Sequence, residues 1–184
     1  MHILSTSERA ALDEVSAALG VDPRWLDVLI NFESGWNTRA TNAISGARGL
    51  IQFLPSTAAS LGYGDADLLV ETYPDIESQL RGPVLKYLSQ FKPFTSDYDL
   101  FMSVFYPKAR TQPPSAQFPD SVQRANPGLH TPQDYVDLVY KHAGIERAAV
   151  VGGSVVVALL LAGSFIYYLR RGLRRGAKKG YYDH

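Results

Sequence analysis

The sequence predicts a mainly α domain with one small β element, followed by one C-terminal transmembrane helix. Three observations carry that prediction. Apolar residues recur at three- and four-residue spacing between good helix caps on one side and glycines or prolines on the other. A run from Ser34 to Arg48 is rich in Gly, Ser and Asn, and with Gly49 and the alternation of Leu50 and Gln52 it predicts turns and a short extended segment. Finally, the 22 residues from Ala148 to Leu169 carry no charge and are followed by Arg170, Arg171, Arg174, Arg175, Lys178 and Lys179. The chain thus divides into a domain over 1–147, a span over 148–169 and a basic tail over 170–184.

Composition agrees with one globular domain plus something smaller: 184 residues, 46% apolar and 20% charged. There are no cysteines, so neither a disulfide framework nor a thiolate metal site is available. His2, His130, His142 and His184 form no close pair with carboxylates at metal-ligand spacing, and no cofactor or metal is expected. No Gly-rich loop between a strand and a helix points to nucleotide binding. The formal charge of zero hides an asymmetry, since residues 1–147 carry 12 basic and 17 acidic side chains and the remainder carries 6 and 1. The basic excess is confined to the tail.

The opening residues Met1 to Leu4 have neither the charged region nor the apolar run of a secretory signal. Ser5 or Thr6 should cap a first helix with Leu12, Val15 and Leu19 on its inner face and Gly20 at its end. Asp22 as cap and Pro23 as first helical residue predict a second helix to about Glu33. On it Leu26, Leu29, Ile30 and Glu33 share one face. An ionised Glu among Leu and Ile is costly to bury, so it either finds a partner or holds its proton to unusually high pH, which is what a general acid needs. Periodicity alone equally permits Glu33 to end the helix and point into water. The Ser34–Arg48 run cannot continue the helix, and Gly46, Gly49 and the alternation of Leu50 and Gln52 predict a tight turn and a short extended segment folding back over the helix end. Pro55 then starts a helix that Gly62 closes.

Glu33-Ser34-Gly35-Trp36-Asn37 followed by Ser45-Gly46-Ala47-Arg48-Gly49-Leu50-Ile51-Gln52 closely resembles the signature of lytic transglycosylases of the soluble lytic transglycosylase type, relatives of goose-type lysozyme. There Glu-Ser opens the motif and Gly-Ala-x-Gly-Leu-x-Gln follows. The resemblance implies a lysozyme-like fold, peptidoglycan as substrate, Glu33 as the sole catalytic acid/base, and substrate contacts from Ser34, Ser45 and Gln52. It covers about residues 22–140 and is strongest from Glu33 to Ala58.

Asp75 to Phe91 has Ile76, Leu80, Val84, Tyr87, Leu88 and Phe91 near helical spacing, with Gly82-Pro83 kinking or dividing it; the resemblance favours one helix. Ser96 or Asp97 should cap a helix whose apolar face is Leu100, Phe101, Val104 and Phe105. Tyr106 follows, and the resemblance matches it to a Tyr that points at the catalytic Glu, although Pro107 stands where the family has Asn and the following Gly is missing. Without the resemblance, Tyr106 reads as a core aromatic with a backbone partner for its hydroxyl. Four prolines between Thr111 and Thr131 predict a long surface loop. Thr131, Pro132 and Asp134 start a last helix with Tyr135, Leu138, Val139 and His142 inward, stopped by Gly144.

The span over 148–169 reaches about 33 Å at ~1.5 Å per residue, enough for a ~30 Å hydrocarbon layer. Tyr167 and Tyr168 stand where aromatic belts form. The positive-inside rule puts the Arg and Lys cluster on the cytoplasmic side and the domain on the side of the wall. A tail anchor without a signal is expected of an enzyme in a membrane-containing bacteriophage virion, and a small bacterial wall-remodelling enzyme is the alternative. Anionic lipid headgroups are a simpler partner for the tail than nucleic acid. Ser154, Ala158 and Ala162 recur every four residues, a small-residue stripe expected to support weak self-association.

Asp65, Asp67, Asp97 and Asp99 are the candidates for a second carboxylate, and each equally suits a helix cap or loop. With one carboxylate the expected reaction cleaves the β-1,4 bond between N-acetylmuramic acid and N-acetylglucosamine and leaves a 1,6-anhydromuramyl end. A goose-type hydrolase and a non-catalytic peptidoglycan-binding virion protein are the competing readings.

Overall fold

In a computed structural model, which describes residues 2–145, helices start where a side-chain oxygen can serve orphan backbone N–H groups. Ser5 caps α1 (Thr6–Leu19): its Oγ accepts from Glu8 N at 3.3 Å while the Glu8 carboxylate accepts from Ser5 N at 2.7 Å. Asp22 caps α2 (Pro23–Ser34) by accepting from Arg24 N at 2.9 Å. Of the two caps the sequence offered for α1, Ser5 rather than Thr6 serves, and Asp22 caps α2 as expected. The inner face of α1 is Leu12, Val15 and Leu19 as expected, joined by Ala11 and Ser16.

Beyond the motif loop, Pro55 opens α3 (Pro55–Ser60) and Asp65 caps α4 (Ala66–Thr72), accepting from Leu68 N at 2.8 Å. The segment from Asp75 onward is one helical rod in three parts: α5 (Ile76–Gln79), a π turn (Leu80–Val84) and α6 (Leu85–Ser89). Pro83 lacks an N–H, and in a regular helix its ring would meet the carbonyl four residues back. The wider π turn accommodates both defects without ending the rod. Ile76, Leu80, Val84 and Leu88 are its buried stripe.

Ser96 caps α7 (Asp97–Phe105) by accepting from Asp99 N at 3.2 Å. Leu100 and Phe101 are buried as expected, but Met102 and Ser103 complete the covered face and Val104 and Phe105 are only half-buried. Within the unit that ends at Pro113, α1 packs on α2 and along the α5–π–α6 rod, α2 packs on α7, and α3 packs on α4. Fully burying each Leu of these faces stabilises by roughly 1.5–3 kcal/mol, so α1 is the spine of this unit.

Three segments depart from the sequence reading. The small β element is reduced to isolated bridges, Thr41 with Arg48 and Arg48 with Phe53, and no strand forms among the described residues. The extended segment anticipated at Leu50 to Gln52 is instead a turn, because Gly49 and Gln52 both take left-handed backbone angles, φ 78° and 54°. The proline-rich stretch is also not all loop, since α8 (Asp120–Ala125) lies within it. Pro119 stands at the cap position and Pro127 comes just after the end, so the prolines bracket a short helix rather than interrupt one.

A second compact unit begins at Pro114. It holds α8 and α9 (Pro132–His142), the latter started by a capping box in which Thr131 Oγ1 accepts from Asp134 N and the Asp134 carboxylate accepts from Thr131 N at 2.8 Å. Desolvation opposes the Asp134 anion, but the N–H groups of His130 and Thr131 outweigh it and hold that carboxyl below its ordinary range. Tyr135 and Val139 are buried as expected, with Pro132 and Val136, whereas Leu138 and His142 are only half-buried. Among the described residues no helix is long and apolar enough to cross a membrane. The expected span at 148–169, the Ser154, Ala158 and Ala162 stripe and the basic tail lie outside the described residues.

Candidate active site

Glu33 and Ser34 form the last turn of α2, and Gly35 and Trp36 stop the helix there. Gly35 takes φ 61° and donates to Asn31 O at 2.9 Å, the usual left-handed helix cap. Trp36 is left-handed as well, φ 65°, which an ordinary side chain adopts only when its surroundings hold it there. They do: Trp36 is buried, and its indole N–H donates to Asp27 Oδ1 at 3.1 Å, while Asp27 Oδ2 accepts from Arg9 Nη1 of α1 at 3.1 Å. The turn after Glu33 is thereby tied back to the middle of its own helix and to α1. Glu33 itself is partly covered, not fully buried. Ser34 Oγ donates to Ile30 O at 3.1 Å, so its proton is spent on the helix and its oxygen offers only lone pairs to a ligand.

From that helix end a ladder of backbone bonds runs to Gln52. Asn37 N donates to Ser34 O, Ala40 N to Asn37 O, and Gly49 N to Ala40 O, at 3.0–3.2 Å. Gln52 Nε2 donates to Gly49 O at 3.1 Å and, more weakly, to Ala40 O at 3.4 Å. Both neighbours of the amide are carbonyls, so its NH2 must face them and its Oε1 faces away. Gln52 is therefore presented as an acceptor. Ser45, in the same loop, accepts from Ala47 N at 3.3 Å through Oγ, which leaves its hydroxyl proton available to donate.

Tyr106 caps the C-terminal end of α7 with an extended backbone, φ −152° and ψ 85°. Pro107 is the reason, because the residue before proline avoids the helical region. Proline thus ends the helix at the residue the resemblance singled out, and α7 in turn packs on α2. The next element, a short 3₁₀ turn over Pro107–Ala109, is clamped by the Tyr98 hydroxyl, which lies 2.7 Å from Ala109 O and 3.0 Å from Gln112 O.

The four aspartates weighed as a second carboxylate have structural partners. Asp65 caps α4, Asp67 pairs with Arg48 Nε, and Asp99 accepts from Thr95 N and Oγ1 at 3.0 and 2.7 Å. Asp97 accepts from Tyr98 N at 2.8 Å.

Sequence reasoning missed Gln79, Trp36 and Asp27. Gln79 is fully buried at 0% exposure, and its amide joins three segments: Oε1 accepts from Leu50 N at 3.0 Å, and Nε2 donates to Thr38 O at 2.8 Å and Tyr73 O at 2.9 Å. A signal was present, since Gln79 lies on the apolar stripe three residues after Ile76 and four before Pro83, where a polar side chain must find partners. Gly49 belongs to the same arrangement. A Cβ there would sit 2.8 Å from Gln79 Oε1 and 3.3 Å from Val70 Cγ1, so only glycine lets the loop lie against the amide.

Of the residues the resemblance singled out, Glu33 brings a carboxyl at a helix end, Ser34 and Gln52 bring acceptor oxygens, and Ser45 brings a hydroxyl donor. No solved structure matches the chain. Residues 11–73 match the family model of the Transglycosylase SLT domain, a stretch that runs from within α1 through Glu33 and Gln52 to just past α4, and this match supports the lytic transglycosylase family for the chain.

Proposed function

We propose that the protein is a peptidoglycan lytic transglycosylase that cleaves between N-acetylmuramic acid and N-acetylglucosamine and leaves 1,6-anhydromuramyl ends. The observation that carries this reading is the family match over 11–73, within which Glu33 stands on a helix end braced by Gly35, Trp36 and Asp27. Glu33 first protonates the glycosidic oxygen. As carboxylate it then takes the proton of the muramyl C6 hydroxyl, which attacks C1. No water is consumed, and Glu33 ends as it began. Asp65, Asp67 and Asp99 are engaged as a helix cap, an Arg48 partner and a Thr95 acceptor, and the mechanism takes Glu33 as its one carboxyl where two-carboxylate glycosidases need a second group about 5–9.5 Å from the acid. Gln52 Oε1 and Ser34 Oγ accept from sugar hydroxyl or N-acetyl N–H groups, and Ser45 and Tyr106 complete the substrate contacts.

The uncharged span 148–169 and its basic flank support a membrane anchor with the domain facing the wall. Full-length protein in detergent should clear a peptidoglycan gel. Glu33→Gln, which keeps shape and loses the transferable proton, should lower the rate by about 10²–10⁴-fold. Mass spectrometry of the digest should find muramyl ends one water lighter than a hydrolase leaves. Reducing muramic ends alone would make the protein a goose-type hydrolase, and no clearing by the parent would leave a binding protein.

A further inference from the structure

We propose that Gln79 is a positioning residue for the reaction: its buried amide sets the Gly49–Gln52 loop in the conformation that presents Gln52 Oε1 to the sugar. The inference rests on the transglycosylase reading for its catalytic consequence, but its structural half stands on the loop alone. Gln79 lies outside the matched residues 11–73 and makes no contact of its own with a ligand in this scheme.

The connection is short. Gln79 Oε1 accepts from Leu50 N and abuts Gly49 Cα, where a Cβ would collide with it. Gly49 O in turn accepts from both Gln52 N at 3.2 Å and Gln52 Nε2 at 3.1 Å. Gln52 is held left-handed at φ 54°, a conformation that a non-glycine residue keeps only where neighbours impose it. The Gln79 amide is itself over-determined, since its acceptor faces an N–H and its donors face two carbonyls, Thr38 O and Tyr73 O. Only a side chain with one acceptor and two donors in this geometry satisfies all three.

That donor and acceptor pattern makes the test specific. In Gln79→Glu the carboxyl still accepts from Leu50 N but faces two carbonyl oxygens. Ionised, it repels both; protonated, it satisfies one. Burial and the two carbonyls raise the pKa of such a Glu well above its ordinary ~4.3. The kcat/KM of Gln79→Glu relative to the parent, per folded molecule by circular dichroism at each pH, should therefore fall at least about tenfold from about pH 5 to about pH 8. Gln79→Met, which cannot titrate, should show a loss that does not change with pH. Protection of the Leu50 amide, its exchange rate relative to the intrinsic rate at each pH, should be high in the parent at every pH and should fall in Gln79→Glu over the same pH range.

A flat Gln79→Glu ratio across pH, with the variant folded, overturns the proposal, as does parent Leu50 exchange at the rate of an open loop. If Gln79→Glu does not fold, that parent exchange decides alone. A parent that does not clear peptidoglycan overturns the transglycosylase reading instead, and Leu50 exchange still judges whether Gln79 holds the loop.

Discussion

Gly49→Ala and Gly20→Ala make a matched pair, because both glycines are left-handed and only one is crowded. Gly20 has φ 73° and nothing within 4 Å of a built Cβ; Gly49 has φ 78° and would place its Cβ 2.8 Å from Gln79 Oε1. Alanine at either position meets the same backbone strain, roughly 1–2 kcal/mol. At Gly49 a second cost is added. Gln79 is long and flexible, but three hydrogen bonds hold its tip, and moving it strands the buried Leu50 N–H. An unsatisfied buried donor costs about 1–3 kcal/mol, so Gly49→Ala should lose that much more stability than Gly20→Ala. At about 2–4 °C per kcal/mol for a protein of this size, the two midpoints should differ by about 2–12 °C in a thermal melt followed by circular dichroism. Equal losses in the two variants would refute the close approach of Gln79 to the loop.

Trp36→Phe keeps an aromatic ring and deletes the bond to Asp27; it should cost about 1.5–3 kcal/mol in urea denaturation, the range for hydrogen bonds to a charged group, and should slow peptidoglycan clearing. Parent-like stability and clearing together would mean that the indole does not brace the Glu33 turn. Burial pushes the Tyr87 hydroxyl up to about 12, so the stability this phenol contributes is intact below about pH 10 and is lost as pH rises toward about 12. Ultraviolet titration should show Tyr87 ionising with alkaline unfolding, and Tyr87→Phe should shift that transition; ionisation near pH 10 in a folded protein would contradict the burial. Ser5→Ala removes the α1 capping box and should cost about 0.5–2 kcal/mol by denaturation, leaving clearing by the folded protein unchanged.

Helix ends were legible because their chemistry is local. Ser5, Asp22, Ser96 and Thr131 cap through bonds to residues two or three positions on, and Gly20 stops α1 alone. Glu33 was legible in position for the same reason. What could not be read was how its turn is held, since Asp27 reaches Trp36 nine residues on and Arg9 of α1 eighteen residues back. Gln79 reaches 29 residues to Leu50 and 41 to Thr38. Periodicity marks Gln79 as a polar side chain on an apolar stripe, but it does not say which distant backbone groups that side chain bonds. The Leu50 and Gln52 alternation misled for a related reason: two apolar and polar residues in turn look the same in a strand and in a pair of tight turns, and the glycine angle that separates them is set by Gln79. Four prolines concealed α8 because their composition marks a loop while their placement brackets a helix.

The π turn in the rod has a consequence for the length of the chain. Gln79 and Tyr87 both serve the motif loop, one through Leu50 N and the other through its ring, whose centroid lies 6.0 Å from that of Phe53 in an edge contact. On an uninterrupted α-helix, residues eight apart are offset by about 80°. The extra residue in the π turn takes back about one residue's rotation, ~100°, and brings the two side chains nearly into line. The rod is thus geared by a single residue. A relative one residue shorter between Gln79 and Tyr87 would set them seven apart on a regular helix, again only about 20° out of line, whereas a helix of the present length that lost the π turn would swing one of the two contacts off the loop by about 80°.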